Sequence, residues 1–120
     1  MNRKKYDEWY STLFKGKPEW YWHFGLHDAK IINVIEKPTE LKFVLDTDST
    51  CSTDIRAINF FNYSVIQGDL SALTGQWWFE DMLNTQHNKY LLKIETRNRK
   101  DKAFFTEITF TDVNVEKKHN

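Results

Sequence analysis

Apolar residues recur at two different periods along this chain, and the period changes near residue 20. Tyr6, Trp9, Tyr10, Leu13 and Phe14 are spaced by three and four, which lays one apolar stripe along a short amphipathic helix from about Asn2 to Phe14. Gly16 and Pro18 close that helix and turn the chain. From Trp20 onward the period is two and the residues become β-branched and aromatic, as half-buried strands require.

Ala29 to Glu36 predicts the first clear strand, ended by Lys37-Pro38, and Leu41, Phe43 and Leu45 share one face of a second. The polar turn Asp46 to Thr50 leads to a third strand near Asp54 to Tyr63. Connections this short allow only an antiparallel meander. Gln67 to Gln76 reads as a loop whose Leu70, Ala72 and Leu73 cover apolar surface. A second meander follows: Gln76 to Leu83 pairs with Lys89 to Arg97 across Asn84 to Asn88, and Asn98 to Asp101 turns the chain into Ala103 to Phe110. Beyond Thr111 the apolar positions shift phase to Val113 and Val115, which predicts a bulge or bend. The expected fold is α+β: an amino-terminal helix (residues 1–16) packed on a curved, mainly antiparallel sheet or small sandwich of about six or seven strands (residues 20–117). Residues 1–120 form one domain with a frayed tail from Glu116.

Composition supports a globular chain. It has 120 residues, 40% hydrophobic and 16% aromatic, which is ample material for one core. Lys plus Arg and Asp plus Glu each total 17, so no net field draws the molecule toward nucleic acid or an anionic membrane. The basic run Arg97 to Lys100 with Lys102 reads as a solvated hairpin loop. One cysteine, Cys51, excludes an intramolecular disulfide and suits a reducing compartment. With no secretory pattern and no run of membrane-spanning length, the expected location is the cytoplasm.

The densest chemistry lies in Trp20-Tyr21-Trp22-His23-Phe24-Gly25-Leu26-His27-Asp28. His23 and His27 would share a face and chelate an ion on a helix, but on a strand they stand about 13 Å apart. Gly25 allows a bend between them. A metal set of His23, His27, Asp28 and Glu80, with His87 or Asp81 as further donors, is one reading. The plainer one packs His23 among aromatics and leaves His27 and Asp28 bonded to each other or to backbone.

Asp46-Thr47-Asp48-Ser49-Thr50 after an apolar strand superficially resembles the nucleophile motif of haloacid-dehalogenase-type phosphatases, with Asp46 as nucleophile and Asp48 as general acid. That family needs parallel strands alternating with helices, which the pattern here lacks, so a polar hairpin turn is the better account. Cys51 has no base beside it to make it a nucleophile. Trp77-Trp78-Phe79-Glu80-Asp81 puts two indoles on opposite strand faces. Either the helix covers the second face or an exposed indole anchors a partner.

The strings Gly25 to Ile31, Gln76 to Glu80, Tyr90 to Glu95 and Thr106 to Val113 resemble a group of small bacterial proteins of unknown function. In those, a Leu-His-Asp strand entry comes early and a Phe-x-Asp-Val-like strand late. The resemblance implies a mostly antiparallel β domain of the bacterial cytoplasm, of an accessory or immunity kind, with no shared catalytic residues. Residues and resemblance together point to a non-enzymatic module that binds another protein and carries no cofactor. Its binding residues are expected to be Trp77, Trp78, Glu80, Asp81, Trp22 and His27. The alternative is a small metal-dependent hydrolase or ligand-binding protein built on His23, His27, Asp28 and Glu80.

Overall fold

The alternating apolar positions become eight strands of one antiparallel sheet in the computed structural model, which describes residues 16–23, 25–50 and 54–118. The strands are β1 (Lys30–Glu36), β2 (Glu40–Asp46), β3 (Ile55–Phe61), β4 (Ser64–Gln67), β5 (Trp77–Gln86), β6 (Lys89–Arg97), β7 (Ala103–Phe110) and β8 (Asp112–Lys117). Their order across the sheet is β4-β7-β6-β5-β1-β2-β3-β8. Both expected meanders are present, joined where Lys30 of β1 pairs with Trp77 of β5.

The two outermost strands are continuations of inner ones. β4 resumes β3 after only Asn62 and Tyr63, and β8 resumes β7 after Thr111. Phe61 pairs with Asp112 and Ser64 with Thr109, so the β3–β8 and β4–β7 ladders keep one register through the break. The bend expected at Thr111 is therefore real: its N–H donates to Phe61 O at 3.0 Å, and the chain passes from the β6 side of the sheet to the β3 side. Eight strands thus occupy six positions round a sheet that curls back on itself. The curl encloses Leu41, Phe43, Phe60, Trp78, Leu92, Ile94, Ile108 and Phe110. Phe60 meets Phe43 and Phe110 at ring separations of 5.5 and 4.7 Å, edge-on and tilted, the offset geometries that aromatic quadrupoles favour.

This architecture overturns the α+β expectation. Among the described residues the only helical element is the 3-10 turn Leu70–Ala72, capped by the Asp69 side chain, which accepts from the N–H of Ser71. The helix expected over residues 1–16 falls mainly on residues 1–15, outside the described residues. A sheet that curls to bury its own apolar face needs no helical layer to do so. Ser64–Gln67, between the expected third strand and the loop expected from Gln67, is strand β4, with all four residues exposed. The β5–β6 turn is tighter than expected: pairing extends to Gln86 and Lys89, and His87 and Asn88 make a two-residue turn with φ of 41 and 67°. Asn accepts that left-handed backbone readily, and such turns match the twist of the paired strands.

Among the described residues no helix is long and apolar enough to cross a membrane. The basic hairpin loop is present as expected, with the Asn98 side chain accepting from the N–H groups of Lys100 and Lys102. The Asp46 carboxylate accepts from the N–H of Asp48 at 3.0 Å, and the buried Thr47 hydroxyl donates to Ile55 O at 2.8 Å. Those residues build a turn. Cys51 lies outside the described residues.

Candidate functional site

The described residues of Trp20 to Asp28 form a run of turns rather than a strand. Tyr21 N–H bonds Pro18 O, Gly25 N–H bonds Trp22 O and Ala29 N–H bonds Leu26 O, while His23 and Asp28 adopt φ of 48 and 71°. These turns point Tyr21, Trp22 and Leu26 inward. The segment is laid against β5, where Asp28 N–H donates to Trp78 O and Trp78 N–H to Ala29 O, at 2.8 and 2.7 Å. The two aromatic segments therefore meet.

What they meet around is Asp81. One carboxylate oxygen accepts the Tyr21 hydroxyl, and the other accepts the indole N–H of Trp22 at 2.6 Å and of Trp78 at 2.8 Å. The indoles pack edge to face at 5.7 Å. A bulge in β5 makes this possible. Trp78 pairs with Thr96 and Asp81 with Ile94, both inward-facing, because the register shifts between Trp78 and Glu80 and leaves Phe79 as the extra residue. Without that shift, alternation would turn Asp81 outward whenever Trp78 pointed inward.

Burial pushes the Asp81 carboxyl above its ordinary range, opposed by the three donors and by His23. Burial, reinforced by the Asp81 charge and hydrogen bond, holds the Tyr21 phenol far above its usual value. Burial also lowers the His23 imidazole; Asp81 opposes that and Lys17 adds to it. The Lys17 ammonium donates to Leu83 O, which fastens the start of the segment to β5.

On the outer side of the bulge, His27 Nδ1 lies 2.6 Å from Phe79 O, and its Nε2 is 3.7 Å from the Asp28 carboxylate. The Phe79 ring has His27 at 5.4 Å and the Arg97 guanidinium over it at 4.0 Å. A cleft of about 300 Å³ opens there, lined by His27, Trp78, Phe79, Glu80 and Asp81.

Of the six expected binding residues, Trp22, Trp78 and Asp81 come together, but as an interior cluster with Trp78 wholly buried. Glu80 and His27 are exposed on the rim of the cleft. Trp77 stands apart, half-buried, with the Lys30 ammonium 5.3 Å from its ring. The question of which indole is covered is answered by the curled sheet, which encloses Trp78. For the alternative metal set, no three His, Cys, Asp or Glu side chains among the described residues converge as ligands, and His23 is half-buried beside Tyr21 at 5.0 Å.

Sequence reasoning missed Tyr21 as the third donor to Asp81, Phe79 as the bulge, and the exposed Met82 and Phe105. Only the exposure of Phe105 had a signal. Phe105 alternates with the inward Thr106, Ile108 and Phe110, so its outward direction follows from the period of β7.

Set beside known proteins, the chain matches no family model, no curated protein and no solved structure.

Proposed function

We propose that this chain is a non-enzymatic protein-binding module of the bacterial cytoplasm, of the accessory or immunity kind that its resemblance to small bacterial proteins implies. The state of Asp81 carries the reading. The most deeply set carboxylate of the candidate site already holds three aromatic donors, so its role is to clamp residues 17–28 onto β5 rather than to meet a substrate. His27 Nδ1 is likewise engaged by Phe79 O. What remains free to contact a partner is the outer surface of β5 and its neighbours, where Glu80 stands beside exposed apolar side chains; polar rims around apolar patches are how proteins recognise one another.

The test is capture of the tagged protein from its host, with metal content measured on the same eluate. A companion in equal amount, which re-forms the complex from the two purified proteins, is the expected result. No companion, or near-stoichiometric zinc that His27→Ala removes, overturns the reading in favour of the metal-dependent alternative.

A further inference from the structure

The outer faces of β5, β6 and β7 carry two aligned rows of side chains, fixed by register. Glu80, Glu95 and Phe105 stand side by side in one row, and Met82, Lys93 and Glu107 in the next. Met82 and Phe105 are 57% and 56% exposed, at opposite corners of this patch, and large apolar groups left so open invite a partner. A groove of about 290 Å³ runs over both rows, with Gln67 at its side.

Charge on this face is unbalanced although the whole chain is neutral. Glu80 is set directly opposite Glu95, a like-charge cross-strand pair that costs stability. Arg97 compensates only the second of them: it bonds Glu95 at 2.5 Å and Asp101 at 3.1 Å, and stacks on Phe79. Lys93 pairs with Glu107 at 3.5 Å. Among the described residues Glu80 has no ion-pair partner, and it stands between the groove and the 300 Å³ cleft beside His27.

Building on the binding-module reading, we propose that this face docks a partner polypeptide through a cationic side chain, arginine or lysine, seated between Glu80 and Glu95. Flanking apolar side chains of the same segment cover Met82 and Phe105. The cation supplies the charge that Glu80 lacks, and the apolar flanks remove the two exposed side chains from water. An anionic segment would meet the uncompensated Glu80 and be repelled.

The probe is the acetylated, amidated tripeptide Leu-Arg-Leu, titrated into the ¹⁵N-labelled protein, with Leu-Glu-Leu as its charge-reversed counterpart. The expected result is saturable shifts of the β5–β7 amides with the arginine peptide alone, weakened about tenfold in Glu80→Gln and lost in Phe105→Ser. Both substituted residues lie at the surface, and the remaining amide signals report that each variant is folded. Absence of saturable shifts up to on the order of 10 mM peptide, an equal response to the glutamate peptide, or shifts centred elsewhere overturns the proposal. Peptide failure alongside a reconstituted companion refutes this surface and spares the module; loss of the companion itself refutes the module.

Discussion

The indole nitrogen of Trp78 donates to a carboxylate oxygen of Asp81 at 2.8 Å, three positions further along the same strand. Residues three apart on a regular strand face opposite ways, so this bond exists only because Phe79 is squeezed out as a bulge. The bulge turns an acidic residue into the interior and gives Tyr21, Trp22 and Trp78 a common acceptor. That acceptor joins the backbone bonds at Asp28 and Ala29 in holding Tyr21 and Trp22 against β5.

Asp81→Ala leaves the Tyr21 hydroxyl and two indole N–H groups without their acceptor in a poorly hydrated place. Each orphaned buried donor costs about 1–3 kcal/mol, so the expected loss is at least about 3 kcal/mol in urea unfolding. A cost under about 1 kcal/mol contradicts the clamp.

Deleting Phe79 restores an unbroken β5–β6 ladder at the expense of facing. Either Trp78 or Asp81 must then turn outward, since one-residue slips exchange strand faces. The expected outcome is loss of the cooperative thermal transition. Phe79→Leu keeps the extra residue and is expected to fold.

Burial raises the Asp81 pKa, so the folded protein holds this proton at pH values where the unfolded chain has released it. More protons bound when folded means that this group's contribution to stability falls as pH rises above the ordinary carboxylate range near about pH 4. The lowered pKa values of His23 and Glu116 act in the opposite sense on acidification, so the comparison must be with Asp81→Asn. The stability gap in favour of the wild type is expected to widen as pH is lowered from about 7 toward 4, read from urea midpoints.

Two glycines with positive φ differ in their surroundings. A Cβ on Gly68 (φ 101°) would lie 2.8 Å from Phe105 O, against the backbone of β7, whereas a Cβ on Gly75 (φ 89°) meets nothing within 4 Å. Gly75→Ala is expected to cost about 1 kcal/mol, from backbone strain alone. Gly68→Ala, which adds a backbone clash, is expected to cost on the order of 3 kcal/mol. Denaturant midpoints compared in one buffer check both.

Much of the sheet was legible because local period and turn chemistry decide it. Leu41, Phe43 and Leu45 alternate cleanly, and all three are buried in β2. Ser64–Gln67 was not legible, since four exposed residues carry no alternation and only the register with β7 makes them a strand. The site was half visible. Its two aromatic segments stand out in the sequence, but their meeting is a long-range contact, and the direction of Asp81 depends on a bulge that no local pattern around Phe79 announces. A strict period of two would have put Asp81 on the same face as Trp77, away from the indole it bonds.

On the proposed function, the aromatic cluster serves the fold and recognition falls to the outer face of β5–β7. The affinity of the purified companion for the wild type, for Glu80→Lys and for Lys100→Gln in the β6–β7 hairpin loop tests this. At least about a tenfold loss is expected for Glu80→Lys and no change for Lys100→Gln. Equal affinity for all three proteins would contradict it.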